Sequence, residues 1–224
     1  MPEHTELLPE PLPAEPLAIV QAWLAHAWRE RRQPNPNAMV LATTTPAGHP
    51  SARVVLCKDV QPQPGFIVFY TNYESRKGHE LAANGRAAVV MHWDALHRQV
   101  RIEGPVVRAP AADSDAYFAS RAIESRVGAW ASKQSQSISS RQQLLDSVAA
   151  AEKRFGVSNG SAGNDTQVPR PPHWGGFRLW ADAVELWVEG DARIHDRARW
   201  TRTLTARGGD QFDTGPWAAT RLQP

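Results

Sequence analysis

Residues 39–72 read MVLATTTPAGHPSARVVLCKDVQPQPGFIVFYTN, and the reading of this stretch decides the fold class. Residues 39–45 and 51–60 are rich in β-branched side chains and flank Pro46-Ala47-Gly48-His49, which has hairpin-turn character. A third strand over 66–72 completes a first antiparallel meander. Between Arg53 and Lys58 the residues Val54, Val55, Leu56 and Cys57 are all apolar, so the strand is expected to be buried on both faces with a cation at each end. Strict alternation sends Arg53 and Lys58 to opposite faces. They then serve two different groups, unless a bulge brings them together or both simply end the strand in water.

Downstream, Ser75 reads as the N-cap of a short helix that stops at Asn84-Gly85. Arg76 and Lys77 fall in its first turn, against the helix dipole. A bound anion would relieve that conflict; otherwise the pair is an exposed turn with a modest electrostatic penalty. Strands over 86–93 and 97–108 form a second hairpin around Asp94-Ala95-Leu96. Gln99, Arg101 and Glu103 share one face of it and Val100 and Ile102 the other, which suggests a wet cleft. Residues 139–155 read as a capped scaffold helix with apolar positions Leu144, Leu145, Val148, Ala149 and Phe155. A flexible loop over 156–167 holds the sequons at Asn159 and Asn164, read as loop residues only, and 168–172 is an extended connector. Strands follow at 177–188, 192–201 and 217–222. Alternation places Arg193, His195 and Arg197 on one face, to enclose an anion or to pair with Asp191, Asp196 or Glu185 at an exposed edge. Upstream, Leu17, Val20, Trp23, Leu24, Ala27 and Trp28 repeat at helical spacing from Pro16 to Arg32, an amphipathic helix whose tryptophans need burial. Residues 1–15 are expected as a disordered or loosely draped arm, leaving 16–224 as a single domain.

One further stretch, residues 114–135 (SDAYFASRAIESRVGAWASKQS), gathers polar groups that a core has no use for. Read as one helix, it puts Tyr117, Arg121 and Ser125 at i, i+4 and i+8 on one stripe, offering a phenol, a guanidinium and a hydroxyl to a phosphate. The alternative is a solvated face on which Arg121 pairs with Glu124 or Asp115.

Composition narrows the function classes. The chain has 224 residues, one cysteine (Cys57) and a net charge of +2 from 25 basic and 23 acidic residues. That permits a real core, excludes an internal disulfide and is too mild to imply nucleic acid. The acidic, proline-rich start does not look like a signal peptide and no stretch approaches a membrane span, so a soluble, cytoplasmic protein is expected. There is no G-x-G-x-x-G, no P-loop, no G-x-S-x-G and no metal-ligand spacing. A mainly β chain with helices (α+β) remains. It has two separable anion clusters, Arg53/Arg76/Lys77 and Lys58/Tyr117/Arg121/Ser125, which suggest a phosphorylated cofactor beside a phosphorylated substrate.

A series of motifs in this order then carries a resemblance: Arg53-Val-Val-Leu-Cys-Lys58, Tyr70-Thr-Asn-Tyr-Glu-Ser-Arg-Lys77, Arg98-Gln-Val100, Tyr117-Phe-Ala-Ser-Arg121, Gly128-Ala-Trp-Ala-Ser-Lys-Gln-Ser135, Pro169-Arg-Pro-Pro-His-Trp-Gly-Gly176, Glu185-Leu-Trp187 and Arg193-Ile-His-Asp-Arg197. Together they closely resemble the pyridoxine/pyridoxamine 5'-phosphate oxidases, from about Pro16 to the C-terminus. The resemblance implies an FMN-binding split β-barrel working as a homodimer with the flavin held between subunits. It implies FMN contacts at Arg53, Val54, Val55, Leu56, Cys57, Lys58, Tyr70, Thr71, Arg76, Lys77, Gln99, Gln134, Ser135, Trp187 and Arg197. It assigns Lys58, Tyr117, Arg121 and Ser125 to the substrate phosphate, and Arg193 with His195 to the pyridine ring and its reacting carbon. The implied reaction oxidises phosphorylated B6 vitamers with O2, giving pyridoxal 5'-phosphate and hydrogen peroxide. Departures from the family pattern occur at Cys57, at Gly85, at Ala122, where proline is usual, and at Val188-Glu189, where Gln-Gly is usual. A flavin oxidase of another substrate, such as a phenazine precursor, would share the FMN residues without needing the phosphate set, and a non-catalytic flavin-binding module would have little use for Arg193 and His195.

Overall fold

The computed structural model describes residues 6–158, 161–162 and 167–224. Strands β1 (Ala38–Thr44) and β2 (Pro50–Leu56) form the first hairpin, in register from Ala38 opposite Leu56 to Thr44 opposite Pro50. Gly48, at φ 80°, closes its turn by donating to Thr45 O at 2.9 Å, in a left-handed conformation that costs glycine little. The expected strand over 51–60 breaks at Cys57-Lys58. There the chain leaves the first hairpin, and β3 (Asp59–Gln61) pairs instead with β4 (Phe66–Asn72). The meander is therefore split between two parts of a curled sheet. The expectation that Val54 to Cys57 would be buried on both faces holds only at Cys57, which is 2 % exposed; Val55 and Leu56 are half-buried, and β2 is the outer strand of its sheet. Val54 is 64 % exposed.

Strand β5 (Arg86–Trp93) and the long β6 (Arg98–Arg108) form the second hairpin as read. β6 then changes partners. Its first part lies between β5 and β10 (Ala183–Val188), whereas Val106 to Arg108 pair with β9 (Trp174–Trp180), which in turn pairs with β4. Gly104 sits where the two parts of the sheet diverge, and a Cβ there would lie 1.8 Å from Trp180 O. The single strand expected over 177–188 is thus two strands reversing at Ala181-Asp182. The stretch is largely apolar and both strands are mostly buried, so Asp182 is the one polar residue that marks the turn. Strands β11 (Asp196–Thr201) and β14 (Ala218–Leu222) complete the order β14-β11-β10-β6-β5-β1-β2.

One face of this sheet carries Leu41, Met91, Val100, Ile102, Leu186 and Trp200, all fully buried. They share a core with Leu17, Val20, Trp23 and Ala27 of helix α1 (Pro16–Glu30). Trp28, expected to be buried, is 47 % exposed because it lies off that narrow stripe. Residues 6–14, expected as a disordered or loosely draped arm, are held against the body. Leu8 is 5 % exposed, its N–H donates to Asp196 Oδ2 at 2.8 Å, and Trp200 Nε1 donates to Pro13 O at 2.8 Å.

Helix α2 (Arg76–Asn84) has its expected caps: Ser75 Oγ accepts from Gly78 N–H, and Gly85 is left-handed at φ 57°. Helices α3 (Ala111–Ala119), α4 (Ile123–Ala131) and α5 (Arg141–Phe155) enclose a second core around Phe118, Val127, Ala151 and Trp174. α5 packs through Val148, Ala151 and Phe155, leaving Leu144 and Leu145 largely exposed. The pair β7 (Val157–Ser158) and β8 (Ser161–Ala162) is a short ladder within the expected 156–167 loop. Most of that loop, including Asn159 and Asn164, lies outside the described residues. A hairpin of β12 (Leu204–Gly208) and β13 (Gln211–Thr214) was not legible as strands. Among the described residues no helix is long and apolar enough to cross a membrane.

Candidate active site

The junction of β2 and β3, the end of β4 and the helices α3 and α4 surround a cavity of about 670 Å³, the size of a small-molecule site. Lys58 reaches it because the chain crosses there from one hairpin to the next, held by Lys58 N–H donating to Val68 O at 2.8 Å. Tyr117, Arg121 and Ser125 line it too, but not as a single helical stripe. The helix breaks at Ser120 to Ala122, with Ala122 at φ −54°, ψ 146°. Tyr117 therefore ends α3, Arg121 lies in the connection and Ser125 begins α4. The bend brings the three together in place of the i, i+4 spacing.

Aromatic rings fix this wall. Tyr70 and Tyr117 stack at 4.0 Å, Trp174 stacks on Tyr70 at 5.5 Å, and the Arg121 guanidinium lies 4.7 Å from the Trp174 ring centre. Arg121 makes no ion pair among the described residues, and its Nη1 is buried with no hydrogen-bond partner. Burial lowers its pKa, partly offset by Tyr117. The solvated-face alternative is not realised, since Asp115 pairs with Arg170 at 2.6 Å.

Lys77 enters the same cavity from the first turn of α2. Its side chain is 7 % exposed and its ammonium donates to Thr71 Oγ1 at 2.8 Å, Ser75 Oγ at 2.9 Å and Gln134 Oε1 at 2.5 Å. No carboxylate balances it among the described residues. Burial, helped by the nearby charge of Arg53, lowers its pKa to about 8. A buried cation with only neutral acceptors is poised for an anion.

Arg53 and Arg76 do not join Lys77 in the cavity. Both turn to Glu80, which is 4 % exposed and accepts from Arg76 Nε at 2.8 Å, Arg53 Nη2 at 3.2 Å, Ser51 at 2.7 Å and Thr43. Burial alone would raise the Glu80 pKa; the hydrogen bonds from Thr43, Ser51, Arg76 and Arg53 outweigh it and hold the pKa down at about 2. Arg76 and Ser135 line an adjoining pocket, joined to the first through Gln134. Sequence reading missed Glu80, although its i+4 spacing from Arg76 was a signal. Val54, Val55, Leu56, Tyr70 and Thr71 do line the cavity. Cys57 does not: it is 2 % exposed, its thiol faces Asp59 O at 3.3 Å, and burial pushes its pKa up to about 12. Trp174 and Asn72 line the cavity without having been singled out, though both lay inside the quoted motifs.

The remaining predicted residues lie away from the cavity. Trp187 is in register with Gln99 on one side and Arg197 on the other, and Arg197 donates to Glu185 at 2.7 Å. The strand expected over 192–201 starts only at Asp196. Asp191 to Arg193 form a 3-10 turn with Ala192 and Arg193 at φ 51° and 65°, so alternation does not relate Arg193, His195 and Arg197. His195 Nδ1 accepts from Gly190 N–H at 3.2 Å, its ring lies 4.6 Å from that of Trp187, and Arg193 is exposed. The polar face of β6 carries ion pairs in place of an open cleft: Arg101 to Glu185 at 3.1 Å and Arg199 to Glu103 at 3.2 Å.

Comparisons with known proteins are extensive. Residues 24–155 match the family described as pyridoxamine 5'-phosphate oxidase, and residues 174–224 match the pyridoxine 5'-phosphate oxidase C-terminal dimerisation region. The pyridoxine/pyridoxamine 5'-phosphate oxidase of Paracoccus denitrificans is 45 % identical over 94 % of this chain and 95 % of its own length. That of Gluconobacter oxydans is 46 % identical over 95 % and 96 %. Among solved structures, PhzG from Burkholderia lata, in complex with tetrahydrophenazine-1-carboxylic acid, superposes with a TM-score of 0.80 at 30 % identity, covering 95 % of this chain and 94 % of that one. A pyridoxamine 5'-phosphate oxidase-related, FMN-binding protein from Nostoc punctiforme shares the fold, with a TM-score of 0.67 at 15 % identity over 95 % of this chain and 100 % of its own.

Proposed function

The chain belongs to the pyridoxamine 5'-phosphate oxidase family, and on that premise we propose that it oxidises pyridoxine 5'-phosphate and pyridoxamine 5'-phosphate to pyridoxal 5'-phosphate with FMN as cofactor. The observation that carries this reading is the convergence of Lys58, Tyr117, Arg121, Ser125 and Lys77 on one cavity. Two phosphate monoesters fit that donor set: among the described residues Arg121 has a buried nitrogen without a partner, and Lys77 is a buried ammonium without a carboxylate. Lys58, Tyr117, Arg121 and Ser125 hold the vitamer phosphate. Lys77, Thr71, Tyr70, Gln134 and the run Val54, Val55, Leu56 and Lys58 hold FMN, with Arg53 set beside them on Glu80 and Arg76 and Ser135 in the adjoining pocket. FMN, when bound, accepts the hydride that leaves C4' and passes its two electrons to dioxygen, which leaves as hydrogen peroxide. The alcohol substrate also gives up its hydroxyl proton and becomes the aldehyde. The amine becomes an imine that water hydrolyses to the same aldehyde and ammonia.

The homodimer supported by the C-terminal dimerisation region completes the site. In one chain the assigned residues fall into two groups, one around the cavity and one around Trp187, Gln99, Arg197, Arg193 and His195. We place FMN at the interface, where the second group of one copy meets the cavity of the other. Arg193 and His195 then clamp the pyridine ring opposite its phosphate, orienting and polarising it without acting as an obligatory base. His195→Asn should retain substrate affinity and much of the turnover; loss of turnover alone in both His195→Asn and His195→Ala would assign it a proton transfer. The buried, unpaired Cys57 is compatible with a cytoplasmic location.

The test is oxygen-dependent formation of pyridoxal 5'-phosphate by the FMN-loaded protein, offered pyridoxine with and without its phosphate. Turnover of the phosphorylated form alone is expected. A flavin-loaded protein that oxidised neither would redirect the reading to an unphosphorylated substrate of the kind bound by PhzG.

A further inference from the structure

A second concavity, of about 800 Å³, lies between the N-terminal strap and α1 and shares no lining residue with the cavity above. Its walls are mostly apolar: Leu7, Leu8 and Pro13 from the strap, and Ile19, Ala22 and Trp23 from α1. Arg98, at the start of β6, also lines it. This arginine is buried, with a side chain 7 % exposed, and it lies 4.9 Å from the Trp23 ring centre. Its Nη1 lies 3.1 Å from His26 Nδ1, and its Nε is buried with no partner among the described residues. Glu6 is the one carboxylate in ion-pair range among the described residues, at 3.5 Å, and it is 87 % exposed. A solvent-exposed carboxylate at that distance is a weak, screened partner, whereas a buried guanidinium calls for a close, planar one. Glu15, Arg29 and His26 are the other titratable groups around the groove.

We propose that this groove is a second ligand site that takes a small organic monocarboxylate with an apolar body. The carboxylate displaces Glu6 and engages the Arg98 fork, while the body lies against Trp23, Leu8 and Ile19. One buried cation, Arg98, among mostly apolar walls, with Arg29 exposed to solvent, matches a monoanion with a hydrophobic tail better than inorganic phosphate.

The test is calorimetric titration of the FMN-loaded protein with 2-naphthoate. One site per chain is expected, with naphthalene-2-methanol and inorganic phosphate at least about tenfold weaker. Glu6→Gln should tighten 2-naphthoate several-fold by removing the competing carboxylate. Ala22→Leu, at an exposed helix position that narrows the groove, should weaken it at least about tenfold while leaving circular dichroism unchanged. Arg121→Ala should leave it unchanged, which separates this site from the catalytic cavity and from any failure of the proposed reaction. The proposal is overturned if the wild type gives no heat, if Arg121→Ala abolishes binding, or if Glu6→Gln and Ala22→Leu both bind like the wild type. Binding that emerges only after removal of residues 1–5 also overturns it, because the groove would then belong to the chain's own first residues.

Discussion

Lys77 holds a positive charge inside the protein with only neutral acceptors around it among the described residues, and its pKa of about 8 lies below the ordinary value of 10.5. Below pH 8 both folded and unfolded chains carry the proton, and the cost of burying it is present in full. Between 8 and 10.5 the unfolded chain binds more protons, so the FMN-free protein gains stability from this group as pH rises. A bound phosphate favours the charged form. FMN binding at pH 8.5 should therefore take up a fraction of a proton, and affinity should fall by up to about tenfold per pH unit above 8. Calorimetry in two buffers of different ionisation enthalpy measures the uptake, and Lys77→Gln should abolish it. Arg121 makes the complementary case on the substrate side. Its phosphate contact acts alike in ground and transition states, so Arg121→Ala should raise KM about 10- to 100-fold with little change in kcat. An unchanged KM with a collapsed kcat would contradict the assignment. The types of these residues were legible in the sequence, and they are what raised the expectation of an anion site. Glu80 was not, because nothing local shows that Arg53, twenty-seven positions earlier, and Arg76 end on the same carboxylate.

The break between α3 and α4 decides the geometry at the next scale. Ala122 has φ −54° and ψ 146°, angles that proline adopts without strain, and its N–H donates to no backbone carbonyl. Ala122→Pro should therefore stabilise the fold by about 0.4–1 kcal/mol through the unfolded chain, a rise in melting temperature of about 1–4 °C, with the cavity unaltered. A fall in melting temperature would show that the connection needs the freedom alanine leaves it. Sequence periodicity read 114–135 as one helix because both halves are good helix formers, and the break is enforced by packing of Phe118 and Val127 in the second core. A similar limit applied at β2. Its apolar run signals burial, but the strand stands at the outer edge of the sheet, where one side is left for something outside the chain.

At the scale of the molecule, the sheet face opposite α1 carries Val40 and Val54 directly across from each other, 42 % and 64 % exposed. The same face continues through Arg101, Glu185 and Arg197 to the second group of site residues. On the proposed arrangement this is where the second copy packs. Val40→Glu should give monomers by light scattering and weaken FMN binding at least about tenfold, because each site loses the groups supplied by its partner. A dimeric Val40→Glu protein with normal FMN affinity would move the interface elsewhere.

The sequence by itself determined the class of the fold, the helix caps at Ser75 and Gly85 and the hairpins around Gly48 and Asp94, and it singled out Lys58, Lys77 and Arg121 as candidates for an anion site. These rest on short-range physics: turn chemistry, capping, and the residue types that can hold a phosphate. Only the tertiary structure decided that Lys58, Lys77, Tyr117, Arg121 and Ser125 meet in one cavity, that Glu80 holds Arg53 and Arg76 beside it, and that Arg193 and His195 sit on a turn remote from it. Those outcomes depend on which distant strands pair and where β6 changes partners. Pairing is set by the burial of whole faces against one another, a property that no local window of the chain contains.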